Sequence, residues 1–230
     1  VFFRALSGSI ISLFMVYRTG IGSIKTQKPV RHFVRAFSAV GCVVLYIFGI
    51  KYLQLSENIA IAHSVPIIAA ILAVPILGEK IGIHRVAAIV IGFIGVLIIV
   101  KPGTDLFQLK SLLPIGSALF MASVYLSTRS LMNTESSTSI VFYYSFALLF
   151  TSIIFFPSDF IIPDIFNLTL ALSLGIMGSL GHYFMSQAAK NADVAVTSPF
   201  EYTSFVFVGV MGYMFFNEIP SNSVVLGGIL

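Results

Sequence analysis

The stretch Asp193–Glu218 is long enough to cross a bilayer, yet it holds Pro199 and Glu201 about a third of the way along. Ionisable groups inside a membrane span are costly and are functional candidates by default. Pro199 lacks a backbone N–H, so local unwinding is expected, and unwound backbone is tolerated at membrane depth only beside a cavity. We therefore predict that Glu201 lines a translocation path. The alternative is a helix-packing role with a fixed partner such as Arg4.

A second stretch, Glu57–Glu79, has a related plan, since it also runs from an acid through a proline-broken apolar segment to a glutamate. His63 and Pro66 are the counterparts there. His63 could carry a coupled proton because imidazole titrates near neutral pH. A neutral histidine bonded to a neighbouring helix is the favoured interpretation. Tyr202, beside Glu201, fits a hydrogen-bonding gate and an aromatic filler equally well.

Two further polar residues lie within apolar runs. Arg4, near the outer end of the first run, could bind an anionic group or extend outward to the interface, and the sequence leaves both open. His182 is a weaker candidate for the translocation path. Gly178 and Gly181, which flank it, indicate close packing between helices.

The composition identifies the chain as an integral membrane protein. It has 230 residues, of which 57% are hydrophobic and 10% charged, and its mean hydropathy is +1.00. Soluble domains carry about 25% charged residues. The apolar runs are continuous and about 20 residues long, which favours helices over a barrel. Cys42 is the single cysteine, so no internal disulfide and no thiolate metal site are possible. No two of the four histidines have metal-ligand spacing, and we predict no metal and no cofactor.

The apolar segments are separated by short polar loops. The chain starts at Val1 inside one segment and stops at Leu230 inside another, so we interpret it as a fragment lacking material at both ends. The predicted segments are Val1–Tyr17, Phe33–Leu53, Ile59–Leu77, Val86–Val100, Leu112–Leu131, Ile140–Phe156, Phe166–Ala189, the stretch that ends near Phe216, and one that begins after Pro220.

The basic residues predict the orientation of the chain. Lys and Arg are enriched in short cytoplasmic loops. Placing the Arg18–Arg35 loop in the cytoplasm leaves three basic residues outside, Lys51, Lys101 and Lys110. The net charge of +4 therefore reflects membrane topology and does not indicate a nucleic-acid partner. The cytoplasmic set is Arg18, Lys25, Lys28, Arg31, Arg35, Lys80, Arg85, Arg129 and Lys190.

The two proline-broken stretches fall in opposite orientations, because Glu79 lies inside and Glu218 outside. Each of these glutamates precedes an apolar segment, where an acid meets the positive end of a helix dipole, so both are predicted to be structural caps. Inverted repeats with interrupted helices are typical of secondary transporters. The predicted halves are residues 1–103 and 104–230.

The two halves also resemble a known family. AHSVPIIAAILAVPILGEKIG followed by GFIGVLIIVKPG resembles the first half of bacterial drug/metabolite transporters of the EamA type, and SPFEYTSFVFVGVMGYMFFNEIP resembles the second. A subgroup with the PFEY segment, Pro199–Tyr202 here, includes metabolite and S-adenosylmethionine carriers. The resemblance implies an all-α protein with ten helices in two inverted halves of five. This chain would lack the first helix and truncate the tenth.

Transport is the predicted function. The favoured hypothesis is a secondary transporter of a small organic metabolite that works by alternating access in the bacterial inner membrane, with proton coupling or exchange both left open. No Walker-type Gly-Lys-Ser/Thr motif is present. The alternative is a polytopic membrane enzyme acting on a lipid-soluble substrate. The expected partners are a small-molecule substrate and the lipid bilayer, and a homodimer is left open.

Overall fold

The computed structural model describes residues 1–53, 61–78, 109–154 and 163–201, together with isolated positions that include Asn58. At 109, 199 and 201 the backbone alone is described. The other isolated positions are 82, 83, 87, 90, 91, 94, 203, 207, 210, 211, 213 and 214.

The described part of the chain is built from helices and contains no strand, as the composition predicts. Its helices are α1 (Phe2–Thr19), α2 (Pro29–Tyr52), α3 (Val65–Leu77), α4 (Leu112–Leu131), α5 (Ser137–Ile154), α6 (Ile165–Asn191) and α7 (Val194–Thr197). Short 3₁₀ turns occupy Ile21–Ile24, Leu109–Ser111 and Ser198–Glu201. By length and composition, α2, α5 and α6 can each cross a membrane.

Helix α2 begins earlier than the hydropathy pattern predicts. It starts at Pro29, where proline is favoured because the first helical N–H has no intrahelical partner. Arg35 is consequently in the second turn of α2 and is 1% exposed. The prediction that Arg35 belongs to the cytoplasmic loop is therefore wrong. Without Arg35, the predicted cytoplasmic side still has many more basic residues than the three predicted outside, so the predicted orientation does not change.

Helix α1 presents small residues inward and large apolar residues outward. Ala5, Ser9 and Ser12 are buried. Ile10 and Phe14, one turn apart on another face, are 57% and 55% exposed. A soluble protein rarely leaves such an apolar face in water. The arrangement fits a helix whose outer face meets lipid and whose inner face allows close helix packing.

The chain divides into two compact units. The first comprises residues 1–40 and 127–192. In it, α1 packs against both α5 and α6. The Ser7 hydroxyl donates a 2.9 Å hydrogen bond to the Leu172 carbonyl, and the Ser9 hydroxyl donates one of 3.2 Å to the Ser145 carbonyl. A Cβ added at Gly175 would overlap the Arg4 carbonyl and the Ser7 hydroxyl, so the backbones of α1 and α6 nearly touch.

The second unit comprises residues 41–126 and 193–230. Within it, the Ser117 hydroxyl of α4 donates a 2.9 Å hydrogen bond to the Cys42 carbonyl of α2. Helix α3 ends at Gly78, whose φ of 69° is the left-handed conformation that favours glycine at a helix end. Each unit draws on both predicted repeat halves, and the boundary after residue 103 stays a prediction.

Only part of the predicted small-residue face of α6 is packed. Gly175 is in tight contact, whereas a Cβ at Gly181 would meet no atom within 4 Å. Gly181 is also exposed, so the expectation of close packing there is wrong.

This difference gives a matched pair of substitutions. Gly175→Ala should lower the free energy of unfolding by about 1–3 kcal/mol, because the added methyl group forces α1 and α6 apart. Gly181→Ala should leave it unchanged. Thermal unfolding of the detergent-solubilised protein measures both, and equal stability of the two variants would contradict the observed packing.

Candidate functional site

The first proline-broken stretch is interrupted just before α3. Ile61 and Ala62 are helical, His63 and Ser64 form a turn, and α3 starts at Val65. Pro66 lies in the first turn of α3, where its missing N–H removes no intrahelical bond. His63 is half-buried at the break. The proline thus starts a new helix.

The second proline-broken stretch is interrupted as well. Helix α7 gives way to the 3₁₀ turn Ser198–Glu201, and the chain is helical again at Thr203. Ser198 is fully buried, and its hydroxyl has no hydrogen-bond partner in the described part of the chain. Helix α3 contacts both α7 and this turn. The two interrupted segments therefore meet within the second unit.

Some predicted site residues of this stretch lie outside the description. Tyr202 is not described, and neither are the side chains of Pro199 and Glu201. Glu79 and Glu218, the predicted caps, also lie outside the described residues. The roles of all these side chains stay predictions.

A buried arginine forms the centre of the first unit. The Arg35 Nε atom donates a 2.8 Å hydrogen bond to the Thr128 hydroxyl of α4, and Nη1 donates one of 3.5 Å to the Ile140 carbonyl of α5. Nη2 lies 3.5 Å from Nδ1 of His182 on α6. The guanidinium is also 5.9 Å from the centre of the Tyr144 ring. One side chain therefore links four helices through neutral groups.

His182 is held on two sides in this cluster. Its ring centre is 4.1 Å from that of Tyr144, and its Nδ1 atom faces Arg35. Tyr144 is 4% exposed, in agreement with a packing role. The sequence nominated His182 and missed Arg35, because the latter was counted as a loop charge. Thr128 and His182, polar residues within apolar runs, were the signal that a buried partner existed.

Arg4 borders a cleft between α1, α5 and α6. The arginine is half-buried, and a Cβ added at Gly178 would lie 3.7 Å from its Nη2 atom. The guanidinium therefore lies over α6. The residues that line the cleft are Arg4, Ala5, Gly8, Tyr144, Ser145, Leu148, Gly175, Gly178 and Ser179.

A carboxylate that the sequence did not nominate holds the loop between α1 and α2. The Glu135 side chain is 2% exposed and lies 3.6 Å from Nε2 of His32. It accepts a 3.0 Å hydrogen bond from the Thr26 hydroxyl and one of 3.1 Å from the Gln27 N–H. Glu135 follows α4 in a polar turn, where an acid is ordinarily solvated. This placement gave no sequence signal of burial.

The described residues contain no group of three or more His, Cys, Asp and Glu side chains that could hold a metal ion. The side chains of the clusters described above can bind a polar ligand group and exchange protons. With two guanidiniums, a histidine and several hydroxyls among small residues, the first unit can accept a polar group inside an apolar bundle.

Comparison with known sequences places these features in a family. The profile of the EamA-like transporter family matches residues 1–101 and 109–230. The chain belongs to the EamA-like transporter family. The resemblance found in the proline-broken stretches is thus confirmed over nearly the whole chain.

Named relatives of this EamA-family chain are transporters of different molecules. The S-adenosylmethionine uptake transporter of Rickettsia prowazekii is 29% identical over 229 residues, covering 100% of this chain and 78% of the relative. The riboflavin transporter of Vibrio cholerae is 30% identical over 210 residues, covering 90% and 70%. The pseudopaline exporter CntI of Pseudomonas aeruginosa is 25% identical over 232 residues, covering 100% and 81%.

A solved crystal structure supports the fold. It matches with a TM-score of 0.74 and 17% identity, over 98% of this chain and 82% of that chain. Together with the family assignment, the apolar helices make this a membrane protein of a small-molecule transporter family.

The Arg35 cluster makes a prediction about stability. Arg35→Lys retains the charge, but one ammonium cannot reach Thr128, Ile140 and His182 at once. Loss of a hydrogen bond to a charged donor should lower the free energy of unfolding by about 1.5–3 kcal/mol. Thermal unfolding in detergent measures the change. Arg18→Lys, at an exposed end of α1, is the control and should unfold like wild type.

The Glu135 contacts make a prediction about the loop. Glu135→Ala removes the acceptor of the Thr26 hydroxyl and the Gln27 N–H, so the loop should open more often. Trypsin should then cleave after the exposed Lys25 several-fold faster under native conditions. Asn133→Ala, at an exposed position of the same turn, is the control. Unchanged cleavage of the Glu135 variant would show that the loop is held by other contacts.

Proposed function

We propose that this protein is a secondary transporter that moves a small organic metabolite across the bacterial cytoplasmic membrane by alternating access. The observation that carries the proposal is the meeting of two interrupted helical segments in the second unit, in a chain of a transporter family. Interrupted helices at membrane depth are retained where backbone groups border a cavity.

The proposed mechanism uses the two predicted repeat halves, residues 1–103 and 104–230. Rocking of one half against the other would expose a site near the middle of the membrane to each side in turn. The breaks at His63–Ser64 and at Ser198–Glu201 depart from regular helix geometry, and we propose that their backbone borders such a site.

The side chains proposed to line this site come from both interrupted segments. Glu201 and Tyr202 follow Pro199 on one segment, and His63 precedes Pro66 on the other. A carboxylate or an imidazole can carry a proton during the cycle, so Glu201 or His63 could couple transport to a proton gradient. Exchange of one metabolite for another requires no titration and fits the same residues.

The proposal includes the inner membrane and a cytoplasmic loop between α1 and α2. Lys25 and Lys28 in this loop, with Arg18 at the end of α1 and Arg31 in the first turn of α2, support that orientation. The enzyme alternative draws no support from the relatives described above, which are named as transporters and exporters.

Uptake by the reconstituted full chain tests the proposal. Proteoliposomes are loaded with buffer and given labelled S-adenosylmethionine or riboflavin, with and without an inward proton gradient. Glu201→Gln should abolish uptake or make it independent of the gradient, while Asp164→Asn, at an exposed position, should transport like wild type. Normal gradient-driven uptake by the Glu201 variant would remove that residue from the mechanism. Turnover of a membrane substrate without any gradient would favour the enzyme.

A further inference from the structure

We propose that the cleft between α1, α5 and α6 binds a carboxylate group of the transported metabolite. Arg4 supplies the positive charge, and the hydroxyls of Ser145 and Ser179 donate hydrogen bonds. This inference rests on the proposed function and adds the substrate class to it. It concerns the first unit alone, so it does not depend on the side chains of the interrupted segments.

Ser145 provides the first observation. Ser145 is 2% exposed and lines the cleft, yet its hydroxyl has no hydrogen-bond partner among the residues that the structure describes. Its backbone carbonyl, by contrast, accepts the bond from Ser9. A buried hydroxyl left unpaired costs about 1–3 kcal/mol. An acceptor that enters the cleft would remove this cost.

Gly8 provides the second observation, because it lies close to two hydroxyls and has no side chain that would separate them from the cleft. A Cβ added at Gly8 would lie 3.0 Å from the Ser179 Oγ atom and 3.7 Å from the Ser145 Oγ atom. The present bond from Ser179 to the Gly8 carbonyl is long, at 3.4 Å. The Ser179 hydroxyl can therefore turn to an incoming acceptor at little cost.

The charges around the cleft favour an anion. Arg4 lines it, and no carboxylate of the described residues forms an ion pair with this guanidinium. Arg35, beyond the Tyr144 ring, adds a second positive charge that is bonded only to neutral groups. A cation held among apolar helices without a counter-ion is costly, and an anionic ligand group lowers that cost.

The size of the cleft selects a small group. Its interior has room for about one water-sized group, such as a single carboxylate oxygen, and the rest of the metabolite would lie outside it. A carboxylate is planar and matches the forked donors of arginine, while its other lone pairs can accept from the two serines.

Matched ligands test the carboxylate directly. Binding to the purified full chain is measured by thermal shift with S-adenosylmethionine against its decarboxylated form, and with methionine and glutamate against their amides. On wild type, at least one carboxylate should bind about tenfold more tightly than its partner, as expected for a charge-assisted hydrogen bond. Inorganic phosphate is included, and binding as tight as that of the carboxylates would overturn the proposed class.

Substitutions in the cleft locate the effect. Ser145→Ala and Gly8→Ala should each reduce the carboxylate preference several-fold, and Arg4→Gln should abolish it, with partial recovery in Arg4→Lys. Gly181→Ala, on the exposed face of α6, is the control. A wild type without any carboxylate preference, or variants that keep it, would overturn the proposal.

The outcome is separable from that of the transport proposal. Riboflavin has no carboxylate, so riboflavin uptake by a wild type that shows no carboxylate preference would leave transport standing and refute the anion site. Conversely, a carboxylate preference that depends on Ser145 and Arg4, in a protein without uptake, would support the site and refute transport.

Discussion

The close approach of α1 to α5 and α6 is the constraint on which the first unit depends. Lipid gives helices no hydrophobic reason to associate, so small residues that permit backbone contact must supply the stability. Gly175 provides the tightest of these contacts, against the Arg4 carbonyl and the Ser7 hydroxyl. The same contact fixes where the Arg4 side chain leaves α1. The close contact at Gly175 therefore both packs the helices and positions Arg4 at the polar cleft.

The buried polar residues of the first unit have two different structural roles. Arg35 is bonded to three helices by neutral acceptors, whereas Glu135 lies at the loop end of the same unit and binds Thr26 and Gln27. The first holds the interior of the helix bundle together, and the second holds the connection between α1 and α2. The hydroxyl of Ser145 belongs to neither arrangement. This hydroxyl, in the cleft that Arg4 also lines, is the feature on which the proposed binding site rests.

Much of the architecture could be predicted from the sequence, because membrane helices are defined by apolar length. Helix α4 has the predicted bounds Leu112–Leu131, and both proline-broken stretches are interrupted. The start of α2 was missed because hydropathy does not detect a proline-initiated polar turn, and Arg35 was misplaced with it. Burial of Glu135 was invisible, since only tertiary contact with a distant loop removes it from solvent. Gly181 is the opposite case, since it was expected to be packed and is exposed. Composition does not show which side of a glycine-containing helix contacts a neighbour.

The length of α3 has an electrical consequence. Its 13 residues extend about 20 Å, which is less than the roughly 30 Å of hydrocarbon in a bilayer. A helix of that length cannot reach both surfaces of the hydrocarbon layer, and its peptide dipoles place a partial positive charge at its amino end. An anionic group beside the His63–Ser64 turn would therefore be stabilised by the helix itself, without a basic side chain.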